Sequence, residues 1–307
     1  MSLILIAIGG NAVLNPENGN PQEQQEKIDD TCREITSIIR GGNDVVLTHG
    51  NGPQIGNILA MQEECGLVHP QPLDICGAQT QGMLGYLLQR SLSNMFREIG
   101  IKKQVATIIT QVIVDGSCES FHNPTKPIGL YYQEERAKTM MNAGVKMLHD
   151  RKGYRRIVPS PMPFKIVEED IIKKLISERV LVITAGGGGI PVIERNGVLE
   201  GIEAVVDKDL TGSLLANKIG AEIFLILTDV ENAALNYRKS NQVDLREITV
   251  HEAELYIKEG HFGKGSMEPK VLADVRFIRS GGKSAIISSL DKAVDALAGK
   301  AGTRIIA

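Results

Sequence analysis

The chain has 307 residues, of which 42% are hydrophobic, and this length allows one large domain or two lobes. Its 34 basic and 37 acidic residues give a net charge of −3, so no basic surface suggests a nucleic-acid partner. The apolar stretches are far shorter than the ~20 residues that a membrane-spanning helix needs. We therefore expect neither nucleic acid nor a membrane among the partners.

Strand-like aliphatic runs alternate with amphipathic helical stretches along the chain. The predicted strands cover residues 3–8, 44–48, 180–184, 223–228, 285–287 and 304–306, and residues 105–114 are a β-rich run. The predicted helices cover residues 22–40, 54–64 and 74–99. This alternation implies an α/β protein with a mainly parallel sheet and helices on both faces.

Two segments interrupt the alternation. Residues 117–164 contain five prolines and an amphipathic stretch at 133–148, and we interpret them as an inserted subdomain that projects from the sheet. Residues 190–206 contain Asn196-Gly197 between extended residues, which predicts a β-hairpin.

The N-terminus and the cysteines indicate the cellular compartment. The chain begins with the strand-like residues 3–8 and lacks the basic segment and cleavage site of a signal peptide. The four cysteines form no CxxC pair and have no histidine at metal-binding spacing. We interpret them as reduced thiols of a cytoplasmic protein, and the sequence identifies no metal ligands.

Three aliphatic runs end at a glycine cluster: Gly9-Gly10-Asn11, Gly50-Asn51-Gly52, and four glycines at 186–189. The carboxyl ends of parallel strands meet at one sheet edge, where α/β proteins bind ligands. Bare backbone N–H groups at such turns bind anions, which predicts a phosphorylated ligand. The alternative for the first two clusters is an ordinary strand-to-helix turn, whereas four consecutive glycines favour a binding loop.

Lys208 lies between Asp207 and Asp209, directly after a strand-like segment. A lysine held there by carboxylates can contact a phosphoryl group in transfer, a reaction that depends on positioning and positive charge. Lys270 offers a second cation after a glycine and a serine. The alternatives are an aspartate that only caps the following helix and a lysine on a solvated face.

The sequence resembles the carbamate kinases, a branch of the amino acid kinase superfamily, over almost its whole length. The most specific matching stretches are NPTKPIG at residues 123–129 and GKGSM at residues 263–267. Further matching stretches lie at residues 7–12, 48–54, 80–86, 154–161, 186–191, 203–210 and 301–303. The resemblance implies a three-layer αβα sandwich, the amino acid kinase fold, with a protruding lid subdomain at 117–164.

The resemblance also implies a division of labour between two lobes. Residues 1–205 would form the carbamate or carbamoyl-phosphate lobe, and residues 206–307 the nucleotide-binding lobe. The implied reaction is reversible phosphoryl transfer between carbamoyl phosphate and ADP, which gives ATP and carbamate and uses Mg²⁺. The implied assembly is a homodimer.

The resemblance assigns site residues position by position. The implied catalytic residues are Lys126, Lys208, Asp209 and Lys270. The lysines would stabilise the transferred phosphoryl group, one of them reaching in from the lid, and the aspartate would orient its two neighbours. The implied substrate-binding residues are Gly9, Gly10, Asn11, Gly50, Asn51, Gly186 and Gly187. The implied nucleotide-binding residues are Lys208, Thr228, Asp229, Val230, Tyr237, Gly265, Ser266, Met267 and Lys270.

The departures from the family pattern are modest and touch none of the implied catalytic residues, and two other functions stand as alternatives. Glu268 adds negative charge near the expected phosphate site, and Leu130-Tyr131 replaces a frequent lid dipeptide. One alternative is another amino acid kinase for a larger carboxylate, which an arginine in the substrate site would indicate. The other is a nucleotide-binding paralogue without activity, which loss of a catalytic lysine would indicate. The sequence also leaves open whether arginine breakdown or purine and allantoin breakdown supplies the carbamoyl phosphate.

Overall fold

The computed structural model describes residues 2–10 and 20–307, so the predicted site residue Asn11 lies outside the described residues. The described strands are β1 (Leu3–Ile8), β2 (Asp44–His49), β3 (Val105–Thr107), β4 (Gln111–Val114), β5 (Lys126–Tyr132), β6 (Met147–Asp150), β7 (Gly153–Val158), β8 (Pro163–Ile166), β9 (Leu181–Ile183), β10 (Ile190–Arg195), β11 (Val198–Gly201), β12 (Ile223–Thr228), β13 (Ala234–Leu235), β14 (Val243–Asp244), β15 (Glu247–Thr249), β16 (Ser284–Ser289) and β17 (Thr303–Ile306). The described helices are α1 (Pro21–Arg40), α2 (Gly52–Glu64), α3 (Leu73–Glu98), α4 (Glu119–His122), α5 (Glu134–Asn142), α6 (Glu169–Ser177), α7 (Lys208–Lys218), α8 (Val250–Lys258), α9 (Glu268–Arg279) and α10 (Ala293–Leu297).

Local sequence explains where α1 begins. At the start of α1, the side chain of Asn20 accepts hydrogen bonds from the backbone N–H groups of Gln22 and Glu23, and Pro21 occupies the first helical position.

Within the described ranges, no helix has the length and apolar character needed to cross a bilayer.

Eight of the described strands form the central sheet in the order β15-β17-β16-β12-β1-β2-β9-β3. All neighbours from β16 to β3 are parallel, whereas β17 runs antiparallel to β16 and β15 is parallel to β17. The prediction of a mainly parallel sheet is therefore confirmed. The strands at its centre are continuous aliphatic runs because both of their faces are covered.

Strand β1 shows how the sheet is covered on both faces. Leu5 and Ala7 pack in one core with residues of α7 and α9. Ile4, Ile6 and Ile8 alternate with them and pack in a second core with residues of α1 and α3. All five side chains are fully buried. The two cores make three layers, which confirms the predicted αβα sandwich.

The β-rich run predicted at 105–114 is confirmed, and it forms two strands that belong to different sheets. β3 is the edge of the central sheet, whereas β4 belongs to a second sheet. Between them the backbone N–H of Thr110 donates to Gln81 Oε1 at 2.8 Å, and Thr110 Oγ1 donates to the carbonyl of Ile108 at 2.8 Å. These bonds turn the chain away from the central sheet, although its residues are good strand formers.

The second sheet has the order β11-β10-β4-β8. The predicted hairpin is confirmed, since β10 and β11 pair antiparallel and both Asn196 and Gly197 have the positive φ that a type I′ turn requires. β4 and β8 are antiparallel neighbours, so the long segment between them leaves and re-enters the sheet at adjacent positions.

The segment between β4 and β8 contains a three-stranded antiparallel sheet, β5-β7-β6, with the short helices α4 and α5. The amphipathic stretch noted at 133–148 contains α5 and runs on into β6. α5 ends at Asn142, and Gly144, with a φ of 88°, turns the chain toward β6. Ile128 of β5 packs on Ile55 of α2, which brings the start of β5 to the turn that precedes α2.

Candidate active site

The carboxyl ends of β1, β2 and β12 open into two adjoining cavities, at the sheet edge where parallel sheets bind ligands. The first cavity has a volume of about 460 Å³. Its lining residues are Gly9, Gly10, Lys208, Thr228, Asp229, Val230, Asn232, Ala234, Tyr237, Arg238, His261, Phe262, Gly263, Gly265, Ser266, Met267 and Lys270. The second has a volume of about 290 Å³. Its lining residues are Gly10, Gly50, Asn51, Gly52, Pro53, Ile55, Lys126, Pro127, Ile128, Arg155, Gly187, Val205, Val206, Asp207, Lys208, Asp209, Gly265, Ser266, Pro269 and Lys270.

The two cavities share one wall. The residues common to both linings are Gly10, Lys208, Gly265, Ser266 and Lys270. Two ammonium groups and two glycine backbones therefore stand between a ligand in one cavity and a ligand in the other. Positive charge and bare N–H groups at such a boundary suit an anionic group that passes between the two ligands.

Asp209, in the first turn of α7, holds both lysines of the shared wall. Lys208 Nζ donates to Asp209 Oδ1 at 2.6 Å, and Lys270 Nζ donates to Asp209 Oδ2 at 3.0 Å. The Asp209 side chain is only 3% exposed. One buried carboxylate thus fixes the direction of two cations that come from α7 and α9.

Asp207 has two partners of its own. Its Oδ1 accepts the backbone N–H of Asp209 at 3.0 Å, which makes Asp207 the N-cap of α7. Its Oδ2 accepts from Lys126 Nζ at 2.7 Å. The sequence left open which aspartate only caps the helix. Asp207 is the cap and also binds a lysine of the inserted segment, whereas Asp209 binds the two wall lysines.

The charges of this cluster shift one another's pKa. Burial would raise the pKa of Asp209, but the charges and hydrogen bonds of Lys208 and Lys270 outweigh it and hold this pKa below its usual value. Burial lowers the pKa of Lys208, opposed by the Asp209 carboxylate. For Lys270, burial is outweighed by the charge and hydrogen bond of Asp209, so its pKa is raised. The cluster therefore keeps an ionised carboxylate between two ammonium groups.

Glycines let the turns at this edge approach one another. A Cβ atom on Gly50 would lie 2.8 Å from the backbone nitrogen of Gly10. A Cβ atom on Gly187 would lie 2.1 Å from Nδ2 of Asn51, and Gly187 has a φ of 67°. Asn51 Nδ2 in turn donates to Thr80 Oγ1 at 2.8 Å. Parts of all three predicted glycine clusters thus meet at one edge.

The structure brings most predicted site residues to these cavities. All the predicted nucleotide-binding residues line the first cavity. The predicted catalytic residues Lys126, Lys208, Asp209 and Lys270 and the predicted substrate residues Gly10, Gly50, Asn51 and Gly187 line the second cavity. Gly9 lines only the first cavity. Gly186 lines neither of the two, because it packs below them, where its Cβ would lie 2.4 Å from His49 Nε2.

His49 ends β2 beneath the glycine run and is 1% exposed. Its Nδ1–H donates to the carbonyl of Gly50 at 3.1 Å. Burial lowers the pKa of His49 to about 4; the hydrogen bond to Gly50 opposes this shift, and the charge of Lys208 adds to it. The imidazole is therefore neutral at neutral pH, and the glycine turn packs against it.

Several lining residues were not singled out from the sequence. Arg155 of β7 lines the second cavity, while Asn232, Arg238 and His261 line the first. Arg155 lies in the stretch 154–161 that matches the carbamate kinases, and this match could have indicated a site residue. The other three lie in irregular segments without a motif, so only the folded chain places them at the cavity.

The described side chains do not fit a protein-held magnesium centre. Among residues 2–10 and 20–307, no three His, Cys, Asp or Glu side chains converge on a point that could hold a metal ion. Asp209 is already engaged by two ammonium groups. Mg²⁺ in kinases is commonly bound by nucleotide phosphates and water with few protein ligands.

Comparisons with known proteins agree with this arrangement. A sequence profile of the amino acid kinase family matches residues 2–289. A carbamate kinase from Thermococcus kodakarensis is 49% identical and aligns with 100% of this chain and 99% of its own length. A carbamate kinase from Trichomonas vaginalis is also 49% identical, with 99% of each chain covered. The structure of the carbamate kinase from Giardia lamblia bound to AMP-PNP superposes with a TM-score of 0.93 at 44% identity, covering 99% of this chain and 98% of that one.

The chain therefore belongs to the amino acid kinase family, the class that its fold and its two-cavity site define. It is a phosphotransferase whose sheet and flanking helices follow the fold of that family. Within the family, its full-length relatives put it among the carbamate kinases. The resemblance read from the sequence is confirmed.

Proposed function

We propose that the protein transfers the phosphoryl group of carbamoyl phosphate to ADP, reversibly, and so forms ATP and carbamate. Carbamate then decays to ammonia and carbon dioxide. The observation that carries the proposal is the shared wall, where Lys208 and Lys270 face both cavities and are held by the two oxygens of Asp209. Full-length relatives that are named carbamate kinases support it.

In this proposal ADP occupies the first cavity and carbamoyl phosphate the second. Thr228, Asp229 and Val230, which follow β12, contact the nucleotide together with Tyr237 and Met267. Gly10, Gly50 and Asn51 position the carbamoyl phosphate. The phosphoryl group then crosses the shared wall between a donor oxygen on one side and an acceptor oxygen on the other.

Catalysis in this account is positioning and charge stabilisation. Phosphoryl transfer spreads negative charge over the equatorial oxygens, and fixed ammonium groups stabilise that charge without reorganising. Asp209 holds Lys208 and Lys270 side by side in the shared wall. Lys126 adds a third cation from the inserted segment, and its partner Asp207 is adjacent to Lys208.

The two cavities correspond to different parts of the chain, which supports the proposed lobes and lid. Apart from Gly9 and Gly10, the residues that line the first cavity lie at or beyond position 208, which supports a nucleotide-binding lobe at 206–307. Most residues that line the second lie before position 206, which supports a carbamate lobe at 1–205. Residues 117–164 would act as a lid, since they deliver Lys126 and Arg155 to the second cavity.

Three further features are proposed on the family resemblance. Mg²⁺ would enter with the nucleotide phosphates, because the described carboxylates do not converge on a metal position. The protein would act as a homodimer and in the cytoplasm. Metal dependence of turnover and the mass in solution test the first two.

The substrate assay separates this function from its nearest alternative. ATP formation from ADP is measured with carbamoyl phosphate, and then in competition with glutamate and aspartate. Arg155 lines the second cavity and is the kind of residue that reads an α-carboxylate, but its guanidinium already donates to the carbonyl of Gly129 at 3.2 Å. We expect turnover with carbamoyl phosphate and no competition. Phosphorylation of either amino acid instead would favour the larger-carboxylate kinase.

A further inference from the structure

Asp274, in the second turn of α9, is a carboxyl group with no role in the proposed phosphoryl transfer. It is 0% exposed. Neither Oδ1 nor Oδ2 has a hydrogen-bond partner among the residues that the structure describes. Buried polar groups are nearly always paired, so an unpaired buried carboxyl calls for a physical reason.

Asp274 lies on the same helix as Lys270, one of the two lysines of the shared wall. It follows Lys270 by four residues on the same helix, so both side chains lie on one face, and helical side chains lean toward the N-terminus. The Asp274 carboxyl therefore leans toward the turn that carries Lys270. Lys270 nevertheless directs its Nζ to Asp209, 3.0 Å away, and forms no bond with Asp274.

Burial without a partner indicates that this carboxyl is neutral. An ionised carboxylate without a cation or donor in an apolar interior is too costly to persist, and such a group stays protonated instead. Burial, followed by the nearby charge of Asp209, raises the pKa of Asp274 well above its usual value, and Lys270 opposes the shift.

Two charged groups of the described chain influence the pKa of Asp274, namely Asp209 of α7 and Lys270 of its own helix. The other elements packed on α9 contribute apolar residues to the same core: Val250 and Ala253 of α8, Ile226 of β12, Ala285 and Ile287 of β16, and Ile305 of β17. The charge of Asp274 is thus coupled mainly to the catalytic cluster.

We propose that Asp274 is a positioning residue for Lys270: as a neutral acid it leaves the ammonium group to Asp209 and the phosphoryl group, and its ionisation would draw the ammonium away. The inference rests on the proposed function, in which Lys270 contacts the transferred group. Ionisation would also add one negative charge beside Asp209, where phosphoryl transfer needs positive charge. Turnover would therefore fall as pH rises through the ionisation of Asp274.

The first test measures protonation and needs no activity. Infrared spectra of the unliganded full-length protein at neutral pH are compared between the unmodified protein and Asp274→Asn. We expect the carbonyl band of a protonated carboxylic acid that disappears in Asp274→Asn and persists in Asp295→Asn, a control at an exposed aspartate. If the unmodified protein and Asp274→Asn show the same carboxylic-acid bands, the proposal is wrong.

The second test measures kcat for ATP formation against pH. We expect the ratio of kcat in Asp274→Asn to kcat in the unmodified protein to rise with pH, by about tenfold per unit once the carboxyl ionises. Asp295→Asn should give a flat ratio. A flat ratio for Asp274→Asn, which means that its kcat differs from that of the unmodified protein by the same factor at every pH, would overturn the positioning role. Asp274→Ala gives the same test if the asparagine variant does not fold. Absence of all turnover in the unmodified protein would reject the proposed function while leaving the infrared result to stand.

Discussion

The Nζ atom of Lys126 lies 2.7 Å from Oδ2 of Asp207, although 81 residues separate the two along the chain. Lys126 begins β5 in the inserted segment, and Asp207 caps α7. The ion pair therefore links that segment to the helix that carries Lys208 and Asp209. Because the Lys126 side chain remains 35% exposed, it can exchange this partner for an anionic substrate.

Replacing Lys126 should weaken the binding of carbamoyl phosphate more than that of ADP. Lys126 lines only the second cavity, and losing a charge-assisted hydrogen bond costs about 1.5–3 kcal/mol. For Lys126→Met we expect the KM for carbamoyl phosphate to rise about tenfold or more, with the KM for ADP nearly unchanged. Lys138→Met removes an exposed lysine of the same segment and is the control. Equal increases in both KM values would contradict the assignment.

Replacing Gly187 should disturb both stability and the substrate turn. Gly187→Ala would put a Cβ 2.1 Å from Asn51 Nδ2 at a positive φ. Gly144 also has a positive φ but open space around its Cβ, so Gly144→Ala isolates the backbone strain of about 1–2 kcal/mol. We expect Gly187→Ala to lose more free energy of unfolding than Gly144→Ala and to lose turnover, by urea unfolding and ATP assay. Equal losses of stability with full turnover would show that the contact with Asn51 is unimportant.

Buried neutral His49 should make the protein less stable in mild acid. Its pKa is about 4 in the folded chain against 6.5 as the ordinary value, so between these values the unfolded chain binds the extra proton. The free energy of unfolding therefore rises with pH across this window, by about 3 kcal/mol in total. His49→Asn should flatten this dependence, measured by urea unfolding at pH 4.5 and 6.5. An unchanged pH dependence in the variant would assign the effect to other groups.

Removing the charge of Asp209 should harm folding and turnover together. Asp209→Asn leaves two largely buried ammonium groups without their carboxylate, and breaking buried pairs in this way costs about 3–5 kcal/mol. We expect lower stability in urea and a kcat reduced by at least about 10²-fold. The exposed Asp291→Asn serves as the control. A variant that keeps near-normal kcat would show that the two lysines need no shared carboxylate.

The glycine clusters, Lys208 and Lys270 were predictable because the reasons for them are local. Aliphatic runs that stop at glycines mark strand ends, and Lys208 lies between two carboxylates in the sequence itself. The parallel sheet followed from the same alternation. The resemblance to the carbamate kinases then joined these pieces into one site.

The remaining features depend on contacts between distant segments. Nothing local shows that Lys126 meets Asp207, or that Thr110 and Gln81 turn the chain between β3 and β4. Asp274 is hidden for the same reason, since a single aspartate in a helix is usually a solvated residue. Only packing of α9 against α7 and the sheet makes it a buried acid.

The central claim is that positive charge on the shared wall drives phosphoryl transfer, and kcat for ATP formation in Lys208→Met tests it most directly. Lys208 lies in the wall, whereas Lys218 at the far end of the same helix is exposed, so Lys218→Met is the matched control. We predict that Lys208→Met loses at least about 10²-fold in kcat while Lys218→Met stays near the unmodified protein. Near-normal turnover in a folded Lys208→Met would contradict the account.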